Sequence, residues 1–240
     1  MGFLVGFFIS GSEMMSNDYF DLEVDRVNHP TRPLPSGRIS VRETILLTLI
    51  FSVCGIITAA LLGLWPLLFA SVIWSVGMLY NSRFKQTGLA GNMMVSLSVA
   101  STFVFGGVVV GGLSSGLVWT FGACAFVFDL SEEIAGGAMD IKGDALRSSR
   151  SLARVKGREY ALRLSGILYG LFVALSIVPF AMGWLGLLYL TLALVADTAG
   201  AYFFLQLYRS RTPEDGRRRI RHLYLTMTFF VGAFIISTLA

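Results

Sequence analysis

Asn17-Asp18-Tyr19-Phe20-Asp21-Leu22-Glu23-Val24-Asp25 follows the apolar run Gly2–Ser16 without a break and is followed closely by Arg32-Pro33-Leu34-Pro35-Ser36-Gly37. The apolar run reads as membrane helix, so the acidic stretch stands at that helix's end. A helix turns by about 100° per residue, which puts Asn17, Asp21 and Asp25 at one-turn intervals with a drift of roughly 40° per step. Asp18 returns beside Asp25 in angle, and all four side chains fall within an arc of roughly 100°. Glu23 points elsewhere and reads as solvated. A carboxylate at mid-bilayer costs roughly 2.5–3.5 kcal/mol on insertion scales, so the cluster calls for cations as partners. Hard oxygen donors with no sulfur or imidazole among them suit Mg²⁺, typically shared with a phosphate-bearing substrate.

Outward from this stretch, the composition sets the class. Of 240 residues, 55% are hydrophobic and 14% charged, and the mean hydropathy is +0.70. Such a chain is a polytopic helical membrane protein rather than a soluble domain, with lipids and not nucleic acid as its surroundings. Cys54 and Cys124 lie in separate apolar runs without CxxC spacing and read as packing residues. His29 and His222 fall in charged segments and read as solvated. Eight apolar stretches recur: Gly2–Ser16, Thr44–Leu62, Trp65–Tyr80, Asn92–Gly112, Gly116–Leu130 and beyond, Ala161–Phe180, Trp184–Leu207 and Leu223–Ala240. Most approach the ~20 residues that a tilted span needs.

The connections alternate in character. Those around Gly63, Gly111 to Gly116, and Gly183 are short and uncharged. The others, Arg26 to Arg42, Arg83 to Lys85, Lys142 to Arg158 and Arg209 to Arg221, hold every Lys and Arg except Arg163. The positive-inside rule puts all four basic loops in the cytoplasm. The first helix must then begin outside, yet its apolar part is short for a full span. A preceding helix missing from the chain is the simplest expectation, and no basic n-region marks a signal peptide.

A second acidic group lies in and after the fifth stretch: Asp129, Glu132, Glu133, then Asp140-Ile141-Lys142-Gly143-Asp144. Read as one helix, Asp129, Glu133, Asp140 and Asp144 share a face within roughly 80°. Asp140 and Asp144 stand at i, i+4, a spacing that aims two carboxylates at one ion. Gly136 and Gly137 leave room beside them. Two acidic helix ends on one side of the membrane imply facing metal sites that repel one another until cations bind. Mg²⁺ on each side, bridged by a diphosphate, would neutralise them, and Arg32, Arg83, Lys85, Arg147 and Arg150 are placed to add contacts to the same anion.

The pattern NDxxDxxxD with RPLPSG seven residues later strongly resembles the UbiA superfamily of intramembrane prenyltransferases. Asp140 and Asp144 resemble that family's second motif, DxxxD. Tyr80-Asn81-Ser82-Arg83-Phe84-Lys85 looks like its basic segment, and Arg150-Ser151-Leu152 with Gly157 and Ala161 like the stretch entering a later helix. The match covers the chain except the family's first helix. The resemblance implies a single transmembrane domain over residues 1–240, all-α, with eight spans of a nine-helix bundle around a central cavity. It implies Mg²⁺-dependent transfer of a long isoprenoid from its diphosphate to a lipid-destined acceptor. Asn17, Asp21 and Asp25, with Asp18 in support, would hold one Mg²⁺, and Asp140 and Asp144 a second. Asp21, Asp25, Asp140 and Asp144 would carry the catalysis, while Lys85, Arg83 and Arg32 would hold the diphosphate. Among subfamilies, NDYFDLEVDRVN with RPLPSGRIS is similar to archaeal digeranylgeranylglyceryl phosphate synthases, with geranylgeranyl diphosphate as donor and a glycerol-phosphate ether lipid as acceptor. Gly137 stands where those enzymes usually show Asp. Chlorophyll synthases share much of the motif, so an aromatic or chlorin acceptor is the alternative.

The chemistry follows from these groups. Cations stabilise charge growing on a departing diphosphate, an apolar cavity keeps water from the allylic cation, and aromatic faces can stabilise it. The acceptor's hydroxyl must lose a proton, which a carboxylate near the metal sites can take; Glu13 is one candidate and Glu133 another. Asp197, deep in the seventh apolar stretch, reads either as functional or as a protonated helix contact. A cation transporter is the rival from another class, but it would place its acids near the midplane of several helices.

Overall fold

The computed structural model describes residues 1–28, 30–141, 145 and 149–239. The described chain is helical throughout: α1 (Gly2–Asn28), α2 (Val41–Leu62), α3 (Leu64–Leu79), a π-helical turn (Tyr80–Phe84), α4 (Leu89–Val109), α5 (Gly116–Met139), α6 (Leu152–Lys156), α7 (Arg158–Ser176), α8 (Val178–Ala181), α9 (Leu187–Tyr208) and α10 (Pro213–Leu239). Six helices among the described residues are long and apolar enough to cross a membrane: Val41–Leu62, Leu64–Phe84, Leu89–Val109, Arg158–Ala181, Leu187–Tyr208 and Pro213–Thr238. The other two expected spans, α1 and α5, have 27 and 24 residues but carry the acids. Leu49, Val53 and Ile57 on α2 and Ile167 and Leu171 on α7 are exposed, as a lipid-facing surface requires. The protein is an integral membrane helical bundle.

Its interior is built on α5, which packs against α4 and α7. Ile134, Ala135, Ala161, Leu162, Leu207 and Leu223 form the centre of one core with almost no exposed surface. Small polar residues stitch the same helices together. Ser131 Oγ donates to the Ser165 carbonyl at 2.9 Å, and Ser165 Oγ returns a bond to the Ser131 carbonyl at 2.7 Å. Such bonds hold helices in lipid, where burial of apolar surface gives no advantage over lipid contact. Asp197 belongs to this set: it is 6% exposed and accepts from Ser176 Oγ at 2.7 Å. Cys54 and Cys124 are free.

Three expectations need correction. Asp140 does not continue α5; the helix ends at Met139 and Asp140 is its C-cap, with φ −108° and ψ 16°. The helical face shared with Asp129 and Glu133 therefore does not reach Asp140, and Asp144, Arg147 and His29 lie outside the described residues. The last helix begins at Pro213, ten residues before its apolar stretch. Thr212 caps it through Asp215 N at 3.2 Å, Pro213 is preset for a first turn, and Glu214 and Asp215 complement the helix dipole. His222 consequently sits within α10, half-buried, with its ring 4.8 Å from that of Phe203 rather than solvated.

Candidate functional site

The acidic stretch continues the apolar part of α1 as one helix, so its period places the polar atoms as the spacing requires. Asn17 Nδ2 donates to Asp21 Oδ2 at 3.3 Å. Asp21 and Asp25 are buried, the Asp25 side chain to 2% exposure. Glu23 faces outward and pairs with Arg26 at 2.8 Å. Each buried acid meets a cation from another segment. Arg32 Nη1 lies 2.6 Å from Asp25 and 3.6 Å from Asp18. Lys85 Nζ donates to Asn17 Oδ1 at 2.5 Å and forms an ion pair with Asp21.

Local structure explains why these cations arrive. Arg32 opens a turn in which Ser36 N bonds its carbonyl at 3.0 Å and Gly37 N bonds the Leu34 carbonyl at 3.1 Å. Gly37 adopts φ +75°, a conformation that suits glycine, and Leu34 is buried beneath. Ser40 then starts α2 with a capping box to Glu43. Lys85 follows the π-helical turn, its own N–H reaching back to the Tyr80 carbonyl at 3.0 Å. The turn re-aims the end of α3, and its Asn81 pins it to α1 by donating to Ser16 Oγ at 2.7 Å and to the Glu13 carbonyl at 2.9 Å. Gly88 brings the following loop onto residues 149–151: its φ is +71°, a Cβ there would strike the Arg150 carbonyl, and Arg150 N bonds the Gln86 carbonyl at 2.9 Å.

At the end of α5, Asp140 pairs with Arg217 of α10 at 2.5 Å. The sequence pattern does not single out Arg217, which sits in the run Arg217-Arg218-Arg219 within a basic segment that reads as a loop. Asp140, Glu133 and Lys85 line one open cavity of about 870 Å³. A second cavity, about 790 Å³, lies between Glu13, Asn17, Asp18, Arg32 and Tyr80. Lys85 thus lines one cavity and holds Asn17, which borders the other. Arg83 does not join either; it is exposed, with no ion pair among the described residues. Glu13 stands at the inner edge of the second cavity, against Gly77, with Oε1 buried and unbonded among the described residues. Ser10 and Glu13 also line a narrower space with Gly6, Thr102 and Phe105, and Ser10, Gly6, Thr102 and Phe105 in turn border an apolar groove of about 1010 Å³ beside Gly2 and Val110. The distance from Asn17 to Gly2 along α1 is about 22 Å at the helical rise.

The donors of both acidic groups are oxygens alone. Among the described residues no three His, Cys, Asp or Glu side chains converge to enclose a metal. That fits Mg²⁺, which is generally held by one or two carboxylates together with substrate phosphates and water rather than by a protein cage.

A membrane bundle with a charged mouth above an apolar groove is suited to an amphiphile with an anionic head. The chain belongs to the UbiA prenyltransferase family, whose description it matches over residues 1–232. It is 30% identical over 237 residues to the digeranylgeranylglyceryl phosphate synthase of Thermococcus kodakarensis, covering 99% of this chain and 84% of that one. A solved structure presented as giving structural and mechanistic insights into digeranylgeranylglyceryl phosphate synthase in membranes is 28% identical. It superposes with a TM-score of 0.77 over 98% of this chain and 83% of the other. A UbiA homolog from Archaeoglobus fulgidus bound to DMAPP and Mg²⁺ shares the fold, with a TM-score of 0.68, 20% identity, and coverage of 95% and 86%. The protein is therefore a prenyltransferase.

Proposed function

We propose that this prenyltransferase moves a geranylgeranyl group from geranylgeranyl diphosphate to the free hydroxyl of geranylgeranylglyceryl phosphate, forming the second ether bond of an archaeal-type lipid. The observation that carries the reading is the apolar groove along α1 that shares Ser10 with the cavity lined by Asn17, Asp18 and Arg32. A diphosphate would sit at Asn17, Asp18 and Arg32, with its tail running along α1 toward Gly2. The groove's length suits a long isoprenoid. The synthases named above supply the acceptor, and the alternation of basic loops supports placing the site on the cytoplasmic side.

Asn17, Asp18, Asp21 and Asp25 would hold one Mg²⁺, and Asp140 with Asp144 a second. Bound there, the metal supplies positive charge that stabilises the departing diphosphate. The chain's own groups do the rest. Lys85 and Arg32, which pair with Asp21 and Asp25 in this structure, would supply charge-assisted hydrogen bonds to diphosphate oxygens. The groove excludes water from C1 of the donor once its C–O bond breaks. The acceptor oxygen then bonds to C1, and its proton passes to a carboxylate. Glu133 borders the cavity that Asp140 and Lys85 also line and is suited to take it, while Glu13 borders the cavity of Asn17, Asp18 and Arg32.

The test is transfer from radiolabelled geranylgeranyl diphosphate onto geranylgeranylglyceryl phosphate, with product identified by mass spectrometry. We expect a digeranylgeranyl ether that is lost in EDTA and restored by Mg²⁺. Product with an aromatic or chlorin acceptor, and none with the glycerol phosphate, would overturn the acceptor. Ion flux without transfer would point to the transporter instead.

A further inference from the structure

Glu132 is the side chain of α5 that neither the sequence motifs nor the reaction scheme above uses. Only 3% of it is exposed, in a helix packed on several sides, and yet neither carboxyl oxygen forms a hydrogen bond among the described residues. Its polar neighbour Tyr224 approaches without a bond of standard geometry. The neighbouring acids are satisfied otherwise: Asp129 accepts from Ser96 Oγ at 2.8 Å, and Asp140 holds Arg217. A buried polar group without partners costs about 1–3 kcal/mol, so a carboxyl kept in this position needs a partner from outside the fold. Glu132, Tyr224 and Asn92 line the same cavity of about 870 Å³ that Lys85 and Asp140 border. A carboxyl and a phenol hydroxyl side by side can each accept from and donate to one alcohol group.

We infer that Glu132, with Tyr224, is the binding site for the alcohol of the acceptor lipid, holding its hydroxyl in the α5–α10 cavity while the donor occupies the α1–α4 groove. This rests on the reading given under Proposed function, since it needs an acceptor that is an alcohol. It adds a residue outside both acidic motifs and separates the two substrates into two cavities joined at Lys85. Glu132 acts by hydrogen bonding: no proton leaves the acceptor to it, and the group-transfer step stays as described.

Two measurements test it. Dicyclohexylcarbodiimide modifies protonated carboxyls in apolar surroundings, and peptide mass spectrometry locates the adduct. In the full-length protein without donor, Glu132 should be labelled, and geranylgeranylglyceryl phosphate should protect it, whether or not transfer occurs. Steady-state kinetics should show Glu132→Leu raising the acceptor KM at least roughly tenfold, as expected for loss of one buried hydrogen bond. The donor KM should be unchanged, and Glu132→Gln should retain acceptor affinity within a few-fold. Protection in a protein that makes no ether product would uphold this site and overturn the proposed reaction. Labelling that the acceptor does not block, or absence of labelling, overturns the inference. So does Glu132→Gln failing as badly as Glu132→Leu, because the charge and not the hydrogen bond would then matter.

Discussion

Asp21→Ala is expected to reduce prenyl transfer by roughly 10²–10³ or more, the range seen when one preorganised electrostatic group is removed from an active site. Asp21 stands between Asn17 and Lys85 and is buried, so no water-exposed carboxylate can take over its place. Without it, a metal at this end of α1 has fewer anionic donors, and Lys85 loses one of the acceptors that aim it. The helix should survive, because alanine is the strongest helix former and Asp21 has no part in the apolar core. Initial rates in detergent, paired with circular dichroism and gel filtration, check both halves. Full activity in a folded Asp21→Ala protein would remove the α1 cluster from the site.

Lys85→Met should be almost as severe, with a different kinetic signature. The ammonium is a compact charge placed by the π-helical turn, held to Asn17 and Asp21 and facing the cavity that Asp140 also lines. Methionine keeps the length of the stem and removes the charge. We expect a loss of roughly 10²-fold in kcat/KM, carried by the donor rather than the acceptor. Lys85→Arg restores charge but not its point geometry, and its rate should fall between the two. An unchanged donor KM in Lys85→Met would place the diphosphate elsewhere.

The α1 half of the site was legible because one helical period governs it. Asn17, Asp21 and Asp25 share a face for the same reason that the preceding apolar residues form a span, and no long-range contact is needed to see it. Lys85 and Arg32 were legible as cations beside that face. Their pairing with particular acids depends on the Gly37 turn and the π-helical turn, which neither charge nor hydropathy encodes. Arg83 shows the limit: two residues from Lys85 and equally basic, it is turned outward by the same turn. Arg217 was hidden for a different reason. It lies 77 residues from Asp140, and only the early start of α10 distinguishes it from its neighbours Arg218 and Arg219. At the end of α5, extending helical geometry through Asp140 failed because the helix stops one residue earlier. Glu132 was passed over because angle alone grouped Glu133 with Asp129, whereas packing buries Glu132 more deeply.

Under the proposed function, the acids of α1 would receive the donor's diphosphate through Mg²⁺. This is tested most directly by equilibrium binding of radiolabelled geranylgeranyl diphosphate to the purified protein as Mg²⁺ is varied, with no acceptor present. Binding should tighten with Mg²⁺, saturate, and lose its Mg²⁺ dependence in Asp21→Ala. Donor binding of equal strength with Mg²⁺ and with EDTA would contradict this reading.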